Sequence, residues 1–173
     1  MTTTDPAQAR EALARLDGKA LDEAAKTYLL GALGADLEDE VTALWHASFA
    51  DPNEDARAKK AVDEVLAGPE RAQLLRLAML MTLEERPDTA QLFVDSVDQA
   101  GQSMFIVELA AVTLAAALLI REYHRKGRSH EVHRTETTEP DGRKTVQIDE
   151  VRYADDGPLA NLLDMLGLWN PGA

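Results

Sequence analysis

Along most of the chain, apolar side chains return every third or fourth position, the spacing of a helix face and not of strand alternation. Between positions 88 and 101, Leu92, Phe93, Ser96, Val97 and Ala100 fall on one side of a helical wheel, whereas Gln91, Asp95, Asp98 and Gln99 fall elsewhere. Breakers stand at Gly18, Gly34, Pro52, Gly68, Pro87 and Gly101, at intervals of 16, 18, 16, 19 and 14 residues. Each interval suits a helix of about three to four turns. Asp5 precedes Pro6 and Asp51 precedes Pro52, in each case a capping carboxylate followed by proline at the first helical position. Pro69-Glu70 opens another helix, and Asp88 or Thr89 is placed to cap the next. Paired intervals approach the period of tetratricopeptide-type repeats, yet no residue motif recurs from unit to unit, so the pattern predicts a bundle and not a repeat array.

Residues 104–120 (MFIVELAAVTLAAALLI) break this pattern, being apolar around the whole circumference with a single charge at Glu108. Such a helix belongs at the centre of a bundle, in an assembly interface or in a membrane. At 1.5 Å per residue it spans about 25 Å, short of the roughly 30 Å hydrocarbon core. The cations directly after it are those of a cytoplasmic anchor. The apolar run 74–83 offers another helix for it to pack against, which favours the central position.

After Gly127 the period changes from helical to alternating. Residues 129–138 and 143–153 are rich in Thr, Val, Ile and Tyr and flank Glu139-Pro140-Asp141-Gly142, a turn in which proline fixes φ and glycine supplies a positive φ. They predict a β-hairpin. Val146, Ile148 and Tyr153 do not share one face of an uninterrupted strand, so a bulge or an early strand end is expected. Two strands alone are marginal in water, so the hairpin must pack on the helices or join a partner's sheet. A short helix follows Asp155-Asp156-Gly157-Pro158 and covers 159–166.

The fold class expected is therefore mainly α: a multi-helix bundle with a C-terminal β-hairpin and a short terminal helix. Residues 1–101 form the amphipathic bundle. Residues 102–173 add the apolar helix, the hairpin and the last helix, packed with the first part as one domain. Of 173 residues, 28 are alanine and 24 leucine, which favours helix, while aromatics at 5% leave an aliphatic core. The polar start shows no apolar leader segment; with its Ala-, Asp- and Arg-rich actinobacterial style the chain is expected to be cytoplasmic.

The formal charge of −13 argues against DNA or general nucleic-acid binding. Zero cysteines exclude disulfides, a thiol nucleophile and thiolate metal sites. His124, His130 and His133 with Glu131 are the candidate metal ligands, but residues three apart on a strand point to opposite faces, and the spacing is not that of the HExxH helix. A solvated strand is the better reading, with no metal and no cofactor. Neither a phosphate-binding glycine loop nor a nucleophile elbow is present. Ser48, Ser96, Ser103 and Ser129 lack such a context, and Glu108 stands alone. Glu38-Asp39-Glu40 and Glu84-Glu85 read as solvated helix faces. No catalytic residue is assigned, and the chain is expected not to be an enzyme.

Within 121–134 five basic side chains face two acidic ones. Arg121, Arg125, Lys126, Arg128 and Arg134 are the candidate partner-binding residues, a patch for an acidic protein, RNA or an anionic lipid surface. Their plainer role is to complement the negative C-terminal end of the preceding helix and to pair with acidic helices.

Residues 110–128 (AAVTLAAALLIREYHRKGR) and 139–166 (EPDGRKTVQIDEVRYADDGPLANLLDML) together resemble the small effector-associated components of bacterial conflict (defence) systems. The resemblance covers the C-terminal third, and its signatures are generic. The helical residues in front depart from the compact α+β module expected of that family. What the resemblance implies is an accessory component that couples an effector enzyme to a sensor or scaffold. With or without it, the expected function is that of a non-enzymatic adaptor or assembly protein, binding a protein partner or forming a homo-oligomer. The alternative is a membrane-anchored or membrane-inserting protein using residues 104–120.

Overall fold

The computed structural model describes residues 5–33, 43, 49–101, 134–148, 151–154 and 156–165. The described segments are mainly helical, with a small antiparallel sheet and a short C-terminal helix. Helix α1 covers Pro6–Arg15, α2 Gly18–Leu33, α3 Pro52–Ala67, α4 Arg71–Glu85 and α5 Ala90–Asp98, with a 3₁₀ turn at Pro87–Thr89. Strands β1 (Arg134–Thr138), β2 (Lys144–Ile148) and β3 (Val151–Ala154) precede α6 (Pro158–Met165).

The expected helix starts follow from their caps. Asp5 accepts a hydrogen bond from the Ala7 N–H at 3.1 Å, and Asp51 from the Asn53 N–H at 2.8 Å, each with proline next in line. The start of α5 differs from expectation. Thr89 occupies its cap position but makes no side-chain cap bond. Its hydroxyl instead donates to the Arg86 carbonyl at 2.7 Å, and Asp88 is bound by the Arg86 guanidinium.

Helix α4 holds the middle of the described molecule. Every residue of 74–83 except Arg76 is buried, because α4 packs against α2 and more lightly against α1, α3, α5 and strand β3. A helix covered on all sides needs no amphipathic pattern. α2 also packs on α5, which in turn rests on α1; α6 lies along α3 and touches β3. Elements from both sides of residue 101 share the core, since Val146, Val151, Leu159, Leu162 and Leu163 join the same apolar cluster as Leu13, Tyr28, Leu75 and Phe93.

The expected single hairpin is a three-stranded antiparallel sheet in the order β1-β2-β3. Thr138 pairs with Lys144 and Arg134 with Ile148; Ile148 then pairs with Val151 and Val146 with Tyr153. The run 143–153 thus splits where the strand was expected to end early. The reversal after Ile148 restores the parity of the pattern: positions 146, 148, 151 and 153 share one face, and Val146 and Val151 are buried.

No described helix is long and apolar enough to cross a membrane. Residues 104–120, expected as the central or membrane helix, lie outside the described residues, as does Gly34.

Candidate functional site

The hairpin tip is built by its sequence. The Gly142 N–H donates to the Glu139 carbonyl at 2.9 Å, and the Glu139 N–H to the Arg143 carbonyl at 2.8 Å. Gly142 has φ +85°. This is a three-residue hairpin loop closed by a left-handed glycine, whose last position strains any side chain. Asp141 accepts from the Arg143 N–H at 3.0 Å and faces its guanidinium at 3.7 Å, which stiffens the tip.

Beyond this tip β1 contributes nothing to the core. Thr135, Glu136, Thr137 and Thr138 are all exposed, on both faces of the sheet, and β1 is an edge in the described strand order. Because Glu139 and Arg143 form a hydrogen-bonded pair, alternation along the ladder sends the backbone N–H and C=O of 134, 136 and 138 away from β2. Arg152 on β3 reaches across to Gln147 at 3.3 Å, so the opposite edge is tied to the middle strand.

A second concave feature lies between α3 and the far end of α6. Two open hollows of about 220 and 260 Å³ share Arg57, Asp164 and Met165. Phe49 forms part of the first; Lys60 and Ala61 form part of the second. Lys60 pairs loosely with Glu64 at 3.6 Å, both well exposed. The mixed charges and open walls are those of a helix–helix seam and do not converge on one point where a reacting atom would sit.

The polar groups gathered inside the fold are structural. The Tyr28 hydroxyl lies 2.8 Å from Thr89 Oγ1, and the Tyr28 ring meets Phe93 edge-on at 5.2 Å. Since the Thr89 proton is committed to the Arg86 carbonyl, Tyr28 is the donor in that pair. Burial pushes the Tyr28 phenol up to about 12, which is the opposite of activation as a base or nucleophile. The Arg86 guanidinium holds Asp88 below the usual carboxylate range. Asp22 is raised by burial, an effect its 2.7 Å contact with Arg71 offsets only in part. Ser96 donates to the Leu92 carbonyl one turn back, as a buried helical serine does.

Of the expected partner-binding residues, Arg121, Arg125, Lys126 and Arg128 lie outside the described residues. Arg134 is the first residue of β1, and its side chain is also outside them. The same holds for Glu108, for His124, His130 and His133, and for the acidic run 38–40. Glu84, expected on a solvated face, is half-buried near the end of α4, because that helix is enclosed along its length. Among the described residues no group of three His, Asp or Glu side chains could hold a metal ion. What sequence reasoning missed is the projecting edge of β1. Its signal was present in the run Thr135-Glu-Thr-Thr138, which has no apolar member to bury.

No family model, curated protein or solved structure matches the chain.

Proposed function

We propose that this chain is a non-catalytic interaction protein, an adaptor or assembly module whose partner is another protein or a second copy of itself. The observation that carries this reading is the projecting hairpin. Its outer strand is exposed on both faces, so it adds nothing to the core, while a rigid turn and two buried valines, Val146 and Val151, hold it in place. An edge strand presented on a rigid base suits strand addition by a partner. The resemblance of residues 110–128 and 139–166 to effector-associated components supports a narrower version, in which the partner is an effector enzyme or its sensor.

A photo-crosslinking amino acid at Thr137 tests the reading, with the same group at exposed Thr27 on α2 as control. A discrete protein–protein adduct from position 137 and none from position 27 is the expected result. Equal adducts from both positions, or none from either, count against it. A second reading rests on residues 104–120, whose composition suits a membrane anchor. Full recovery of the protein without detergent removes that reading.

A further inference from the structure

Helix α6 starts with Pro158 directly after Gly157. A residue at that capping position ordinarily offers a side-chain oxygen to the N–H two or three places on. Glycine has none. The missing acceptor arrives from 89 residues away: Glu70 Oε2 accepts from the Leu159 N–H at 2.7 Å. Glu70 itself occupies the capping position of α4, yet its side chain makes no cap bond to its own helix. A Cβ at position 157 would stand 2.7 Å from Glu70 Oε1. The bare backbone at 157 and the carboxylate at 70 are thus one fitted set.

The remainder of α6 is seated unevenly. Leu159, Ala160, Leu162 and Leu163 are buried, and the α3 face that receives the helix presents Ala58, Ala61, Val62 and Val65. Past Leu163 the fit loosens, and the two hollows flank Asp164 and Met165. A helix of 8 residues does not hold its shape without tertiary contacts. From the tight N-terminus, the loose C-terminus and the borrowed cap, we infer that α6 is a strap that opens independently of the rest of the bundle, with Glu70 as the catch that seats it. Opening bares the small-residue stripe of α3 and the apolar face of α6 together.

The chain lacks cysteine, so Ala160→Cys places a single thiol at a position 3% exposed. Its labelling rate, together with amide exchange at 159–165, reads the opening. In the otherwise native protein, amides 159–165 exchange faster than those of α2 and α4, as expected of a separately opening unit. Glu70→Ala raises both the labelling and the local exchange rates about tenfold or more, the loss of a charge-assisted bond, and leaves α1, α2 and α5 unchanged. Adding Gly157→Ser to Glu70→Ala supplies a local cap and returns both rates toward the native values. Exchange of 159–165 at the rate of α2 and α4 in the native protein overturns the strap. Equal acceleration of all helices by Glu70→Ala, or no rescue by the serine, overturns Glu70 as the catch.

Discussion

At the scale of single residues, the polar interior shows what a buried hydroxyl can do in a fold this poor in aromatics. Tyr28 donates to Thr89, Thr89 donates to the Arg86 carbonyl, and the Arg86 guanidinium reaches the Ala32 carbonyl at 3.0 Å while gripping Asp88. The Tyr28 and Thr89 hydroxyls are thus both partnered, which is the condition for their burial. The phenol is fully enclosed and its folded pKa stands near 12 against a reference of 10.0. The folded state therefore holds the proton more tightly than the unfolded chain. The resulting stability is whole below pH 10 and is lost as the pH climbs through 12. The difference between the folded and unfolded phenol corresponds to roughly 2–3 kcal/mol. Tyr28→Phe is expected to flatten that part of the alkaline stability curve, measured by urea unfolding between pH 9 and 12, while costing about 1 kcal/mol at neutral pH. An unchanged alkaline slope would show that the phenol ionises without unfolding.

At the scale of elements, α4 organises its neighbours through their ends as well as their sides. Arg76, the one incompletely buried residue of 74–83, sends its guanidinium to the Leu13 and Leu16 carbonyls at the end of α1. Arg86 does the same at the end of α2, and Glu70 serves the start of α6. Cations at C-termini and a carboxylate at an N-terminus follow the helix dipole. The two kinds of contact should separate on mutation. Leu75→Ala, at a fully buried position, is expected to cost about 2–5 kcal/mol, a fall in Tm of roughly 2–4 °C for each kcal/mol. Arg76→Ala is expected to cost about 1–3 kcal/mol and to speed amide exchange chiefly in α1. Helix starts written in adjacent residues, as at Asp5-Pro6 and Asp51-Pro52, were legible in the sequence. Caps supplied across the fold were not, because nothing near Gly157 or Leu16 announces Glu70 or Arg76. Thr89 misled for the same reason: its hydroxyl had a better tertiary partner than its own helix. The apolar run 74–83 is an enclosed helix; the expected packing of residues 104–120 against it lies outside the described residues.

At the scale of the whole molecule, core and periphery divide cleanly at the sheet. Strand β3 rests on α4, β2 buries Val146, and β1 stands clear of the core. The switch of period after Gly127 made strands legible in the sequence. That the second run folds into two strands was legible only as a parity conflict, and the solvent-facing position of β1 required the packing itself. Ladder alternation yields a test that keeps fold and docking apart. At Thr137 the backbone N–H points to β2, opposite Thr145, whereas at Thr138 it points outward. Proline removes that N–H in either place. Thr137→Pro is expected to break a ladder bond and to loosen the hairpin by about 1–3 kcal/mol. Thr138→Pro leaves the ladder whole and should change stability by less than about 1 kcal/mol. If a partner adds its strand to β1, Thr138→Pro removes one of the hydrogen bonds that hold it. The Thr137 crosslink then weakens while Tm stays fixed. A crosslink that survives Thr138→Pro at full yield would place the contact on the side chains of the hairpin and not on its backbone edge.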